Sequence, residues 1–395
     1  MLKPLLKCVQ NCSNRGYGSH GLHNGGHGRL DPLQTTRTIS VAGHLFSEMK
    51  EAVLYSKIKT GVRCDLCARR CVIREGETGF CRVRMVKDGK LYSRVYGLID
   101  GMAADPIEKK PLFHFAPGSA TFSISTSSCN FRCQFCLNYQ TSQRESPVGQ
   151  KMEPDEIVAL ARNYDCSGLS YTYTEPTIFM ELAHDTAKIA HGHDMYNTFV
   201  TNGYMTTEAI DYIAPYLDAA TVDFKGSGNK EFYSQYMSVP KVQPIYDALA
   251  HLKRKGVFVE ITNLIIPKIG DHEEDTKSMA SWIVDNLGPM TPLHLTAFSP
   301  MYKMTNLPST PATTLERHIK IAKDAGLVFV YSGNIPGHDY ENTYCPQCGY
   351  KAVERYSVFL KRNNLREDGH CPKCGRNLNV AGVKWMGQGT GRVVF

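Results

Sequence analysis

The 395-residue chain is 42% hydrophobic and 21% charged, and its 45 basic and 38 acidic side chains leave a net charge of +7. These are the proportions of an ordinary globular protein with room for one large domain and small satellites; no run approaches the ~20 apolar residues of a membrane span, and the mild basic excess names no anionic partner, nucleic acid included. Most of the fourteen cysteines fall into short-spaced sets in a long chain, which excludes a small disulfide scaffold and points to metal binding in a reducing, cytoplasmic compartment.

Residues 1–45 are rich in Gly, His and Ser, with Lys3, Lys7, Arg15 and Arg29 and no acidic residue before Asp31. Poor amphipathicity makes this stretch read as a disordered extension, with an organellar targeting leader as the alternative. Cys8, Cys12, His20, His23 and His27 receive no role, because nothing in so Gly-rich a segment holds them in place.

In the Cys-rich segment 46–115, Cys64, Cys67, Cys71 and Cys81 follow a C-x2-C-x3-C-x9-C pattern. Four thiolates are a complete set for zinc or for a closed iron–sulfur cluster, structural or electron-relaying, and the spacing does not choose between them. Arg63, Arg69, Arg70 and Arg82 flank the set and can offset its charge. The run Asp105–Phe115 contains Pro106 and Pro111, which argue against a long helix and for a loop near the metal chemistry or a plain connecting arm.

Residues 116–340 alternate apolar strand runs, at 121–126, 169–173, 196–200, 220–224, 257–266 and 293–298, with helical patterns; 328–331 is a possible seventh strand. Repeated βα units predict an α/β fold, a partial (βα)6-type TIM barrel, with its chemistry at the C-terminal ends of the strands. After the first strand come Cys129, Cys133 and Cys136, in C-x3-C-x2-C. Three thiolates on one loop hold three corners of a cubane cluster and leave the fourth iron open to a ligand. Later strand ends carry Glu175, Thr201 with Asn202, and Asp223 with Lys225; Glu175 and Lys225 suit the ammonium and carboxylate of a zwitterion. Glu260, Asn263 and His294 lie on further strands, where inward polar residues are also plain structure. Cys166 reads as a core thiol. In the tail, 341–395, Cys345, Cys348, Cys371 and Cys374 form two C-x2-C-G knuckles of the zinc-ribbon kind, and zinc is the expected metal.

The C-x3-C-x-aromatic-C run, with Phe135 before its last cysteine, resembles the signature of radical S-adenosylmethionine (radical SAM) enzymes. The resemblance implies a [4Fe–4S] cluster on Cys129, Cys133 and Cys136 that binds S-adenosylmethionine at the open iron and splits it to a 5′-deoxyadenosyl radical. Glu175 takes the place of the acid in that superfamily's Gly-Gly-Glu, with Thr174 and Pro176 departing from the pattern. Thr201-Asn202-Gly203 and Asp223-x-Lys225 are similar to glycyl-radical-enzyme activases such as pyruvate formate-lyase activating enzyme, with Val200 standing where those have Asp. The implied cofactor-binding set is Phe135, Glu175, Thr201, Asn202, Asp223 and Lys225. From residue 60 to 385 the order of motifs resembles the radical SAM enzymes of the AmmeMemoRadiSam system, which implies AMMECR-type and Memo-type partners and an electron donor such as ferredoxin or flavodoxin. The expected reaction is hydrogen abstraction from an unidentified substrate, for instance a glycyl residue of a partner protein; a small molecule or RNA is the alternative target, and an iron–sulfur and zinc scaffold the non-enzymatic one.

Overall fold

Apolar runs long enough to be buried on both faces dominate the chain after residue 100, and in the computed structural model, which describes residues 49–389, they form one eight-stranded sheet. Its strands are β1 (Gly101–Pro106), β2 (Ala120–Ser125), β3 (Gly168–Tyr171), β4 (Tyr196–Thr201), β5 (Ala219–Lys225), β6 (Phe258–Ile265), β7 (Leu293–Ala297) and β8 (Val330–Gly333). Each strand lies beside its neighbour in sequence, from β1 at one edge to β8 at the other. β1 and β2 are antiparallel, and β2 to β8 are all parallel. Parallel neighbours need crossovers, and helices supply them: α1 (Pro154–Asn163), α2 (Met180–Gly192), α3 (Thr207–Ile213), α4 (Lys230–Met237), α5 (Gln243–Arg254), α6 (Glu273–Leu287) and α7 (Ala312–Asp324). All six residues of β2 are buried, as a strand covered on both faces requires.

Local chemistry sets the helix ends. The Thr206 hydroxyl accepts from Ala209 N to start α3, the Asn229 side chain accepts from Phe232 N to start α4, and Glu153 with Glu156 forms a reciprocal cap at α1. On α5 the buried residues are Ile245, Ala248, Leu249 and Leu252, three and four steps apart, while His251, Lys253 and Arg254 crowd its last turn, where the helix dipole favours positive charge.

Beyond the six parallel strands of the expected barrel, the possible seventh is present as β8, and β1 adds an antiparallel edge strand of which only Asp105 and Pro106 fall in the run read as a loop. Pro106 is tolerated there because it is the last residue of an edge strand and owes no ladder hydrogen bond on its open side. The Asp105–Phe115 run makes contacts at two levels: Asp105 accepts from the Tyr173 hydroxyl (2.6 Å) and Lys110 Nζ lies 4.6 Å from the Tyr173 ring centroid, while its last residues meet Glu260. Glu260, near the start of β6, accepts from the backbone N–H of Phe113 (3.0 Å) and His114 (2.7 Å) and pairs with His294 Nε2 (2.7 Å). Burial opposes charge on Glu260, yet the His294 hydrogen bond holds its carboxyl below the usual range. Glu260 and His294 therefore anchor a structural plug at the N-terminal ends of the strands. Asn263 instead supports the mouth: its Oδ1 accepts from Ser227 N (2.9 Å), in the turn after β5.

The described residues form one compact unit. Short antiparallel sheets precede and follow the large one, at Tyr55–Ile58, Gly61–Cys64 and Val72–Ile73, and at Thr343–Tyr344, Lys351–Tyr356 and Phe359–Asn363. Arg355 ties the tail to the plug by donating to Phe113 O (2.8 Å) while its guanidinium lies 4.1 Å from the Phe113 ring centroid. Among the described residues no helix is long and apolar enough to cross a membrane. The roles considered for residues 1–45 lie outside the described residues.

Candidate metal and cofactor site

The cysteine loop leaves the C-terminal end of β2. Ser128, directly before Cys129, has φ = 80°, a conformation that costs a non-glycine residue about 1–3 kcal/mol and is held by its N–H donating to Thr141 O (2.9 Å). The loop then closes with a single helical turn, Tyr139–Ser142. Hydrogen-bond donors face its sulfurs: Phe131 N lies 3.4 Å from Cys129 Sγ, Asn202 Nδ2 lies 3.9 Å from it, and the Ser142 hydroxyl is 3.1 Å from Cys136 Sγ.

Two groups of strand-end residues flank this loop. On the Cys129 side, Glu175 is buried; its Oε1 accepts from Thr177 Oγ1 (2.5 Å), Thr177 N (3.1 Å) and Thr201 Oγ1 (2.7 Å), and its Oε2 from Asn202 N (2.7 Å). The carboxylate thus sets the turn that aims Asn202, whose Nδ2 donates to Asn130 Oδ1 (2.7 Å) in the cysteine loop. Burial, with these hydrogen bonds opposing it, raises the carboxyl above its ordinary range. On the Cys133 side, Lys225 Nζ lies 3.1 Å from Asp223 Oδ2, and both side chains are partly open to solvent. Burial pushes the Cys129 thiol well up, with Glu175 adding to it; burial and the neighbouring Cys136 push Cys133 up, with Lys225 opposing and Asp223 adding. Glu175 is thus felt at Cys129, and Lys225 at Cys133 and Cys136. Phe135 is buried and packs on Phe232 at 5.7 Å between ring centroids, so its side chain serves the loop's packing.

The donor set fits an iron–sulfur cluster. Buried thiols with raised pKa values become good ligands once a bound cation supplies the charge that burial withholds. Cys129, Cys133 and Cys136 would hold the cluster. The tail differs. Cys345, Cys348, Cys371 and Cys374 bring four sulfurs within 4.8 Å of one another, with Cys345–Cys374 at 3.5 Å and Cys348–Cys371 at 3.7 Å. Gly349 N donates to Cys345 O and Gly375 N to Cys371 O, two matching turns that point the thiols at one point. This is a four-cysteine metal-binding group. Cys345→Ser together with Cys371→Ser should release about one metal ion per chain, measured by elemental analysis, and leave the loop at 129–136 competent for iron.

Several contacts at the site were not foreseen from sequence. Asn138 Nδ2 donates to Tyr173 O (2.8 Å), joining the cysteine loop to the segment that carries Glu175. Tyr139 stacks on Tyr302 at 4.7 Å, bringing the loop after β7 across the turn that follows Cys136. Arg69 donates to Asn130 O (2.6 Å) and Ser238 O (2.6 Å), and Arg132 donates to Phe80 O. The tight C-x3-C spacing around Asn130 and Arg132 was the signal available for the last of these.

The Radical SAM superfamily model matches residues 123–283, which begin in β2 and include the cysteine loop, Glu175, Thr201, Asn202, Asp223 and Lys225. An uncharacterized protein of Methanocaldococcus jannaschii, MJ0808, is 43% identical over 337 residues, covering 84% of this chain and 99% of that protein. Among solved structures, a radical SAM methyltransferase from Sphaerobacter thermophilus aligns with a TM-score of 0.45 and 17% identity, over 55% of this chain and 67% of that one. A domain of the pyruvate-formate lyase-activating enzyme from Bacteroides vulgatus aligns with a TM-score of 0.37 and 18% identity, over 42% of this chain and 99% of that one. Residues 123–283, with the cysteine triad at the end of β2 inside them, are a Radical SAM superfamily domain, and the chain belongs to one family with the Methanocaldococcus jannaschii protein that is 43% identical along nearly its whole length.

Proposed function

We propose that this radical SAM enzyme cleaves S-adenosylmethionine and abstracts a hydrogen atom from a partner macromolecule, with a glycyl residue of a partner protein as the target that its resemblance to the activases favours. When bound, the cluster would supply one electron that splits the sulfonium cofactor into methionine and a 5′-deoxyadenosyl radical. The protein's own share is to hold and orient. Lys225, partly open beside Cys133, takes the cofactor's carboxylate. Glu175 takes its ammonium through Oε2, which has one donor in place, and fixes Thr201 and Asn202 against Cys129. Asp223 keeps Lys225 in position, and Phe135 shapes the loop from behind. Zinc in the tail, a second zinc or iron–sulfur site on Cys64, Cys67, Cys71 and Cys81, a ferredoxin- or flavodoxin-type donor, and AMMECR-type and Memo-type partners belong to the same reading.

The observation that carries it is that an anionic group, Glu175, and a cationic one, Lys225, both neighbour a three-cysteine loop. A scaffold that only stored metal would need neither. Lys225→Ala should weaken S-adenosylmethionine binding by about 1.5–3 kcal/mol, the scale of a hydrogen bond to a charged group, while the cluster still assembles. Titrating the reduced cluster's EPR signal with cofactor measures the first, and iron content the second. Wild-type affinity in this variant would move the carboxylate site elsewhere; absence of any 5′-deoxyadenosine from the reduced, reconstituted native chain would reject the proposed reaction.

A further inference from the structure

Four thiolates that share one tetrahedral zinc at about 2.3 Å must stand about 3.8 Å apart. The tail cysteines have that spacing, at 3.5 and 3.7 Å, and among the described residues they form the one group of three or more such ligand atoms gathered within 4.8 Å. Cys64, Cys67, Cys71 and Cys81 do not gather in this way. They stand instead around a single cavity, which all four of them line. A cubane gives a different iron to each thiolate, so its sulfurs surround a body rather than a point.

The wall of the cavity has further features of a built site. Gly79 borders it, and a Cβ there would lie 3.7 Å from Cys71 Sγ and 3.1 Å from Ile73 Cδ1, so even alanine would narrow the cradle. Asn130 borders it too, fully buried, with its Nδ2 lacking any hydrogen-bond partner. A buried N–H left without an acceptor calls for one, and a cluster sulfide is an acceptor that zinc lacks. The cavity also abuts the loop at 129–136. Arg69, between Cys67 and Cys71, donates to the carbonyl of Asn130, while Arg132, between Cys129 and Cys133, donates to the carbonyl of Phe80, beside Cys81. Both guanidiniums stack on the Phe80 ring, at 3.6 and 4.5 Å from its centroid.

We infer that Cys64, Cys67, Cys71 and Cys81 bind a second, fully ligated [4Fe–4S] cluster rather than zinc, with the side-chain amide of Asn130 donating to it. The inference rests on reading these cysteines as a metal site and adds the identity of its occupant. The test is anaerobic reconstitution of the full chain with ferrous iron and sulfide, followed by iron, sulfide and zinc analysis and Mössbauer spectroscopy. The native chain should hold about eight irons, and the Cys129→Ala, Cys133→Ala, Cys136→Ala triple variant about four, as [4Fe–4S] with a spectrum indifferent to S-adenosylmethionine. Cys67→Ser should lose the cofactor-indifferent component and keep the responsive one. Asn130→Ala in the triple variant should keep the iron and shift the midpoint potential of the remaining cluster. The inference is overturned if the native chain holds about four irons and the triple variant none, or if the triple variant carries zinc beyond the single ion of the tail. Failure of S-adenosylmethionine cleavage by the native chain, with about four irons still in the triple variant, would reject the proposed reaction and leave this site standing.

Discussion

Changing any one of Cys129, Cys133 or Cys136 to alanine should bring 5′-deoxyadenosine formation down to the background without enzyme, the largest functional effect expected of any single substitution in the chain. A three-thiolate site has no spare ligand: losing one leaves two corners, and the neighbouring donors, Asn202 Nδ2, Phe131 N and the Ser142 hydroxyl, are arranged around sulfur and do not replace it. The substitutions should be mild for folding, because the loop's backbone anchors lie elsewhere, in Arg132 N to Met237 O (3.0 Å) and Gln134 N to Tyr236 O (2.9 Å). Anaerobic assay by chromatography, with circular dichroism as the folding control, separates the two outcomes. Full activity in any of the three variants would sink the assignment of the triad.

The largest stability effect is expected at Glu181. In α2 this carboxylate receives Arg84 in a two-pronged pair, Nη1 to Oε1 at 2.6 Å and Nη2 to Oε2 at 2.7 Å, and also accepts from Val53 N at 2.8 Å. Both side chains are about 2% exposed, so neither charge can fall back on water. Glu181→Ala would leave the guanidinium buried and unpaired, a loss of about 3–5 kcal/mol in denaturant unfolding. Replacing both partners with apolar residues of similar size should recover much of it, since the penalty comes from the stranded charge more than from the lost attraction. If Glu181→Ala unfolds at the wild-type denaturant midpoint, the N-terminal segment is not fastened through this pair.

The parts of the molecule that sequence revealed are those whose cause is local. β2, β4, β5, β6 and β7 fall within a residue or two of the apolar runs that predict them, because a buried parallel strand must be apolar nearly throughout. The cysteine triad is legible for the same reason, as its ligand spacing is fixed by a few consecutive residues. What stayed hidden depends on partners far along the chain. Glu175 at a strand end reads as a group awaiting a ligand, yet much of its hydrogen-bonding capacity is filled by Thr201 and Asn202, 26 and 27 residues away. Asp105–Phe115 reads as a loop near the chemistry or a plain connecting arm, and the partners that fix it are Tyr173, 68 residues from Asp105, and Glu260, 147 residues from Phe113. The occupant of the N-terminal cysteines is of this kind too: spacing counts four ligands, while the distance between their sulfurs is set by how β-strands, Asn130 and Arg69 pack around them.

The Arg84–Glu181 pair also imposes an order on biosynthesis. Cys64 to Cys81 leave the ribosome early, but the carboxylate that clamps Arg84 follows 97 residues later, and Ser238, which receives Arg69, lies 169 residues beyond it. At about 5–20 residues per second, the first of these gaps is about 5–20 s of translation. Throughout that interval Arg84, which lines the cavity, lacks its carboxylate, and Ile178 of the same wall has yet to be made, so the cavity around the four thiols is completed only with α2.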